Sequence, residues 1–207
     1  MQVTEQKYYT PEEYLQLEET AECKSEYISG QIIPMAGGSI NHNRIARNLV
    51  TELNTAFKQQ DDYEAFIGDV RLWMPKRQIY TYPDIMIVVG EPEYYNRRSD
   101  TILNPQVIIE ILSNSTKGYD REDKFEAYRT ISTFQEYLLV DQTRIHVERF
   151  SKTGKKQWSM LEYDAEDEAI KLTSVPFQIS LVDLYNKVKF DDVEDEKNSA
   201  DSSDLAN

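Results

Sequence analysis

The sequence is poor in cysteine and has no long hydrophobic run. Its single cysteine, Cys23, has no second cysteine with which to form an internal disulfide, and this favours a reducing compartment such as the cytosol. No run approaches the roughly 18 apolar residues that a membrane-spanning helix needs. Residues 1–7 lack the apolar segment of a signal peptide. We therefore expect a cytoplasmic protein that does not span a membrane.

Basic residues are also scarce, with 23 lysines and arginines against 37 aspartates and glutamates and a net charge of -14. Phosphate contacts dominate nucleic-acid affinity, so this balance argues against a simple polyanion-binding protein. Residues 191–207 hold seven acids and one lysine, which is -6 of that charge and leaves -8 for the rest. This tail has almost no apolar residues, and we expect it to be disordered. Its role is open between a solubilising tail and an autoinhibitory segment that mimics DNA.

The length and the order of the predicted elements favour a single folded domain over residues 1–190, followed by the acidic tail 191–207. Helices are predicted over residues 10–19, 40–58 and 119–130, and a β-hairpin is predicted at Ser29-Gly30. Further strands are predicted over residues 64–67, 70–74, 80–89, 106–112, 135–140 and 145–150, with a C-terminal hairpin of residues 158–163 and 168–172. This order is typical of an α/β or α+β protein with a mixed β-sheet.

Two of these strands are almost wholly apolar except for one carboxylate each. Asp84 follows Pro83 in the run 80–89, and Glu110 lies inside the run 106–112. Strands that are apolar on both faces are usually buried, and a buried carboxylate needs a partner, either a cation or a basic side chain. If the two strands are neighbours in one sheet, their carboxylates lie close together and offer the oxygen ligands that suit Mg²⁺ or Mn²⁺.

Lys124 lies on the helix that follows the Glu110 strand, and from there it could reach the same point. A bound metal ion generates a better water nucleophile, and a nearby lysine can orient that water or stabilise charge on the phosphate. Asp120 is four residues before Lys124 and shares its helix face. The spacing alone leaves a second reading open, in which Glu110 forms a buried structural ion pair with Arg71 or Lys124.

Glu26 and His42 are two further candidates. Glu26 immediately precedes the predicted hairpin, and His42 falls in the first turn of the long helix, near its buried face. For each residue, a structural role and a role at the site remain open.

The segment Pro83-Asp84, followed by Glu110-Ile111-Leu112, resembles the PD-(D/E)XK nuclease signature. The chain is more specifically similar to the Uma-two (Uma2) family of restriction-endonuclease-like proteins, which is abundant in cyanobacteria. The matching stretches span most of residues 8–187, and they are residues 27–32, 41–45, 82–85, 107–116, 120–128 and 136–141.

This resemblance implies a restriction-endonuclease-like core, in which a four- or five-stranded mixed sheet is flanked by helices. It implies a metal-dependent endonuclease that hydrolyses DNA to leave a 5′-phosphate, with Asp84 and Glu110 binding Mg²⁺ or Mn²⁺. The signature lysine is absent, because Leu112 occupies its position. The resemblance implies that Lys124 replaces it, and that Glu26 and His42, which lie in or beside matching stretches, belong to the candidate catalytic set.

Two other functions remain open from the sequence. One is a catalytically inactive binding or regulatory protein that retains the nuclease fold, and the other is a structural homo-oligomer. A homodimer is compatible with the apolar residues of the late strands. The basic residues expected to line a DNA-facing surface are Arg44, Arg47, Lys76, Arg77, Arg97, Arg98, Lys117 and Arg121.

Overall fold

The computed structural model describes residues 7–113 and 117–190, without the side chain of Lys117. The predicted acidic tail, residues 191–207, lies outside the described residues, as do residues 114–116 of the loop after the Glu110 strand. Within the described ranges, no helix is long and apolar enough to cross a lipid bilayer.

Local capping sets where the first two helices begin. Thr10 and Glu13 form a capping box at the start of the first helix, and the Ser39 hydroxyl accepts a hydrogen bond from the backbone N–H of His42 at the start of the second. Both starts agree with the prediction. The helices are α1 (Pro11–Glu18), α2 (Ile40–Phe57), α3 (residues 117–128) and α4 (Leu181–Leu184).

Thirteen strands form three sheets in the described part of the chain. The strands are β1 (Ser25–Ile28), β2 (Gln31–Pro34), β3 (Tyr63–Ile67), β4 (Arg71–Met74), β5 (Ile79–Thr81), β6 (Ile85–Val89), β7 (Thr101–Ile102), β8 (Pro105–Leu112), β9 (Glu136–Asp141), β10 (His146–Gly154), β11 (Gln157–Asp164), β12 (Ala169–Lys171) and β13 (Gln178–Ser180). The central sheet has the order β11-β10-β9-β8-β6-β3, the second sheet has the order β2-β1-β5-β4-β7, and β12 pairs with β13.

The central sheet is mixed and buried on both faces. Strand β8 runs antiparallel to β6 and parallel to β9. Alternate residues of β8 pack on opposite sides, so that Val107 and Ile109 contact the core beneath α2, while Ile108 and Leu112 contact the core beneath α3. This layering agrees with the predicted mixed sheet flanked by helices. The side chain of Glu110 therefore belongs to the α3 face.

The predicted strand 80–89 is two strands in different sheets. Residues Ile79–Thr81 form β5 of the second sheet, and Ile85–Val89 form β6 of the central sheet. Pro83 lies between them, and a proline has no N–H to donate to a β-ladder, so it ends the pairing of the first strand. Asp84 consequently lies at the junction between the two sheets.

Two further details differ from the prediction. The central sheet has six strands rather than four or five, because the hairpin β10–β11 extends it beyond β9. The run 168–172 pairs with Gln178–Ser180 and not with residues 158–163, whose partner is β10. The alternating pattern of a strand does not identify its pairing partner. The extension of the central sheet and the partner of residues 168–172 both depend on contacts between distant segments.

A buried carboxylate fixes the loop that follows β12. Glu136 on β9 is 1 % exposed and accepts hydrogen bonds from the backbone and hydroxyl groups of Thr173 and Ser174, at 2.6–3.1 Å, and from the Ser151 hydroxyl at 3.0 Å. Burial by itself would raise the pKa of Glu136, but the hydrogen bonds from Ser174 and Thr173 outweigh it and hold the pKa below the ordinary 4.5.

Glu136→Gln should lower the free energy of unfolding at neutral pH by on the order of 1–3 kcal/mol, because one oxygen that accepts N–H groups becomes an amide donor. A depressed pKa in the folded state stabilises the fold above the unfolded-state pKa, and this contribution is lost as the pH falls. In urea unfolding, the difference from wild type should therefore shrink below about pH 4.5. The exposed Glu168→Gln serves as control. A difference that is constant from pH 7 to pH 3 would contradict this account.

Candidate active site

The register between β6 and β8 brings the two predicted carboxylates together. Ile85 lies opposite Ile109, so the antiparallel pairing places Asp84 beside Glu110. The backbone N–H of Asp84 is 3.4 Å from Oε2 of Glu110, and Oδ2 of Asp84 accepts a hydrogen bond of 2.7 Å from the N–H of Ile111. Both side chains line the same cleft.

Lys124 reaches this point from α3, outside the strand. Its helix contains a π-helical turn, Asp120–Lys124, between two α-helical segments, and this turn directs Asp120 and Lys124 to the same side. The Nζ atom of Lys124 lies 3.2 Å from Oε1 of Glu110, 3.1 Å from Asp120 and 3.5 Å from Glu26. One ammonium group therefore faces three carboxylates from three parts of the chain.

The second sheet supplies Glu26. Strand β1 pairs with β5 through Tyr27 and Tyr80, and this places the side chain of Glu26 next to Thr81. The Thr81 hydroxyl donates a hydrogen bond to Oε1 of Glu26, the same oxygen that faces Lys124. Glu26 is 8 % exposed and borders the cleft.

His42 approaches Asp84 from the first turn of α2. Its Nε2 atom is 3.0 Å from Oδ1 of Asp84, and the two side chains are 23 % and 22 % exposed. Gly38 lies against the ring, where an added Cβ would come within 3.0 Å of Nδ1 of His42. Burial lowers the pKa of His42, but the hydrogen bond and the charge of Asp84 outweigh it, and the pKa lies above 6.5.

Negative charge exceeds positive charge in this cluster. Burial raises the pKa of Glu110 to about 8, against the opposing effect of Lys124 and with a further increase from Asp84 and Asp120. Burial lowers the pKa of Lys124, yet the surrounding carboxylates hold it well above the ordinary 10.5. The two shifts have different causes, because one ammonium is shared by several carboxylates and cannot neutralise them all. An additional positive charge would therefore be electrostatically favourable in this cluster.

The cleft opens between α2, α3 and the junction of the two sheets, with a volume of about 500 Å³. All five residues predicted for the site lie in it: Glu26, His42, Asp84, Glu110 and Lys124. Asp84 and His42 are its more exposed members, whereas Glu110 and Lys124 lie at its floor. The open side of the cleft thus faces the paired imidazole and carboxylate.

Sequence reasoning missed the contributions of Tyr128 and Thr81. The Tyr128 hydroxyl donates a 2.6 Å hydrogen bond to Oε1 of Glu110. Its position four residues after Lys124, on the same helix face, was the available signal. Leu112, at the position of the signature lysine, is 2 % exposed and packs in the core beneath α3.

A second group with metal-ligand chemistry lies elsewhere in the described chain. His146, Glu148 and Glu162, on β10 and β11, have ligand atoms within 4.8 Å of one another. Arg121 already binds Glu148 through three contacts of 2.5–3.2 Å. Because that guanidinium already neutralises Glu148, the cleft, in which one ammonium faces three carboxylates, is the stronger candidate for a cation.

Residues 11–183 of the chain match the Uma2 family, which is described as "Putative restriction endonuclease". A protein of Synechocystis sp. named uncharacterized protein sll1609 is 43 % identical over 173 residues, which cover 84 % of this chain and 97 % of that protein. A second Synechocystis protein, uncharacterized protein slr1290, is 34 % identical over 181 residues, covering 87 % and 93 %. These matches confirm the resemblance inferred from the motifs.

The fold is also similar to a solved structure. A crystal structure titled a putative nuclease belonging to DUF820, from Anabaena variabilis, superposes with a TM-score of 0.69 over 86 % of this chain and 97 % of the other. At 24 % sequence identity, this likeness supports the predicted fold class alone.

We expect Mg²⁺ or Mn²⁺ to stabilise the wild-type protein, because a ligand that binds only the folded state raises its stability by mass action. At about 100 times the dissociation constant this amounts to about 2.7 kcal/mol, or roughly 5–10 °C in Tm for a domain of this size. Asp84→Asn keeps an acceptor for the Ile111 N–H but removes a charged ligand, and it should abolish most of the shift. Differential scanning calorimetry with and without metal measures this effect.

Glu162→Gln is the matched control, because it removes one carboxylate from the β10–β11 group and leaves the cleft unchanged. Its metal-induced shift should equal that of wild type. If Glu162→Gln lost the shift and Asp84→Asn kept it, the cation would bind at the hairpin and the assignment of the cleft would be wrong.

Proposed function

The chain belongs to the Uma2 family, and on that premise we propose that it is a metal-dependent endonuclease that hydrolyses phosphodiester bonds of DNA. The observation that carries the proposal is the meeting of Asp84, Glu110 and Lys124 in one open cleft. A purely structural ion pair between Glu110 and Lys124 would account for two of these residues. It would not account for the second carboxylate, Asp84, at the mouth of the cleft.

The donor set of the cleft fits a hard divalent cation. Asp84 and Glu110 offer carboxylate oxygens, which suit Mg²⁺ or Mn²⁺. The single ammonium of Lys124 lies within 3.5 Å of three carboxylates and cannot balance them all. Asp84 and Glu110 would hold the cation, which when bound supplies Lewis acidity toward a phosphate oxygen and acidifies bound water.

Lys124 acts as a hydrogen-bond donor and a positive charge. Its pKa lies well above the ordinary value, so the ammonium keeps its proton at neutral pH and does not serve as a general base. From the floor of the cleft it can orient the attacking water and stabilise the negative charge that develops on phosphorus-bound oxygens. As the water oxygen loses a proton to solvent and bonds to phosphorus, the P–O3′ bond breaks and the leaving 3′-oxygen takes up a proton, which yields a 5′-phosphate and a 3′-hydroxyl.

Three further residues position this machinery. Glu26 and Asp120 hold the Lys124 ammonium from either side, at 3.5 and 3.1 Å. His42 holds Oδ1 of Asp84 at 3.0 Å and sets the orientation of that carboxylate. Glu26 also provides a third acid at the border of the cleft. Homodimer formation and a cytoplasmic location stay predictions from the sequence.

Nicking of supercoiled plasmid in Mg²⁺ or Mn²⁺ tests the function. Asp84→Asn, Glu110→Gln and Lys124→Met should each lower the nicking rate by about 100-fold or more, since each removes a charge aimed at the reacting phosphate. The controls Glu162→Gln and Lys58→Met remove the same charges from exposed sites outside the cleft and should nick as wild type. EDTA should stop the reaction.

Equal nicking by wild type, Asp84→Asn and Glu110→Gln would overturn this assignment of the site. An absence of nicking by wild type across metals and DNA forms, together with a normal Tm, would favour the alternative function. That alternative is a catalytically inactive member of the family that retains the fold for binding or regulation.

A further inference from the structure

A strongly basic patch lies outside the cleft, on the same face of the central sheet as α3. It consists of Arg77, Arg129, Lys152, Lys155 and Lys156, which line one surface depression, together with the adjoining Lys76. A single carboxylate, Glu126, lines the same depression and is paired with Arg77. The patch stands out because the whole sequence carries a net charge of -14.

Most of these cations have no ionic partner among the described residues. Lys155 and Lys156 are exposed, and neither they nor Lys152 pairs with a carboxylate in the described part of the chain. The guanidinium of Arg129 lies over the ring of Phe125 at 5.0 Å, which positions it without neutralising it. By contrast, Arg98 and Arg121, which the sequence suggested for a DNA-facing surface, are bound by carboxylates.

The hairpin turn has no conformational need for its lysines. Lys155 and Lys156 form the two-residue turn between β10 and β11, and neither has a positive φ. Glycine, asparagine and aspartate are favoured in two-residue turns whose residues have a positive φ, so this turn accepts lysines without strain and they add charge to the hairpin tip. Two adjacent lysines at the exposed tip of a hairpin present their ammonium groups outward to a polyanion.

A shallow groove lined by Tyr119, Asp123 and Glu126 adjoins the patch along α3. Arg77 and Glu126 border both the patch and this groove, which continues past Tyr119. The ring of Tyr119 lies 5.5 Å from Nζ of Lys124 at the floor of the cleft. Arg129 follows Lys124 by five residues and caps the C-terminal end of α3, so the patch and the floor of the cleft lie along the same helix.

We propose that the basic patch binds the phosphate backbone of duplex DNA next to the bond held in the cleft. The inference deepens the proposed function and rests on it for the choice of ligand. A local positive surface on an acidic protein concentrates DNA at one position and repels it elsewhere. The patch thereby explains how a chain of negative net charge can hold a polyanionic substrate.

Fluorescence anisotropy of a labelled 20-base-pair duplex, titrated with the full chain in EDTA, measures binding without cleavage. Lys155→Gln combined with Lys156→Gln should weaken binding by about 10-fold or more at low salt and reduce the slope of log K against log salt by about 2. The control pair Lys58→Gln and Lys187→Gln removes the same charge from exposed positions at the ends of α2 and α4, on the opposite face of the sheet. It should leave the slope unchanged.

Two results would overturn the inference. One is equal affinity and equal salt slope for wild type and the Lys155/Lys156 double variant. The other is a combination of two measurements: a peptide with the sequence of residues 191–207 binds in a patch-dependent way, and duplex DNA does not. The patch would then bind an acidic protein segment instead of DNA.

The same assays separate this inference from the nuclease assignment. Glu162→Gln, which lies outside both the patch and the cleft, should bind the duplex as wild type does. Patch-dependent DNA binding without any plasmid nicking would contradict the nuclease function and support the binding surface. Nicking by wild type, with a DNA affinity that does not depend on the patch, would support the nuclease function and contradict the binding surface.

Discussion

The buried ammonium of Lys124 connects three parts of the chain that are distant in sequence. It faces Glu26 from the second sheet, Glu110 from the central sheet and Asp120 from its own helix. Each of these carboxylates is at least nine-tenths buried, and a buried charge without a partner is strongly destabilising. The joint between the two sheets and the π-helical turn of α3 both meet at this one cation, so the shape of the cleft depends on it.

The same cluster shows why the cleft suits a cation. One ammonium and one imidazole face four carboxylates. Among these, Glu110 is buried, and its burial raises its pKa to about 8. Outside the cleft, the surface beside α3 has an excess of positive charge from lysines and arginines. In the proposed function, the acidic cleft would attract the metal ion and the basic surface beside it would attract the phosphates of the substrate.

The helices and the candidate residues were predictable because their signals are local. Thr10 and Ser39 are helix N-caps, which act within one turn of the chain. The apolar residues of α2 recur at helical spacing along one face, which is visible in the sequence. Asp84 and Glu110 were conspicuous because they interrupt apolar strands, where a carboxylate without a partner is costly. Lys124 was a candidate because it lies on the helix after the Glu110 strand, and the resemblance to the nuclease signature implied that it replaces the lysine absent at Leu112.

Pairing between distant segments was decided only in the folded molecule. The division of residues 80–89 between two sheets, the partner of β12 and the hydrogen bond from Tyr128 to Glu110 all depend on which segments meet. A strand pattern states which face of a strand is apolar, but it does not state which edge that strand will pair with, because competing edges offer the same backbone hydrogen bonds. Residue chemistry is thus readable from neighbours along the chain, whereas the geometry that joins those residues into a site arises from long-range packing.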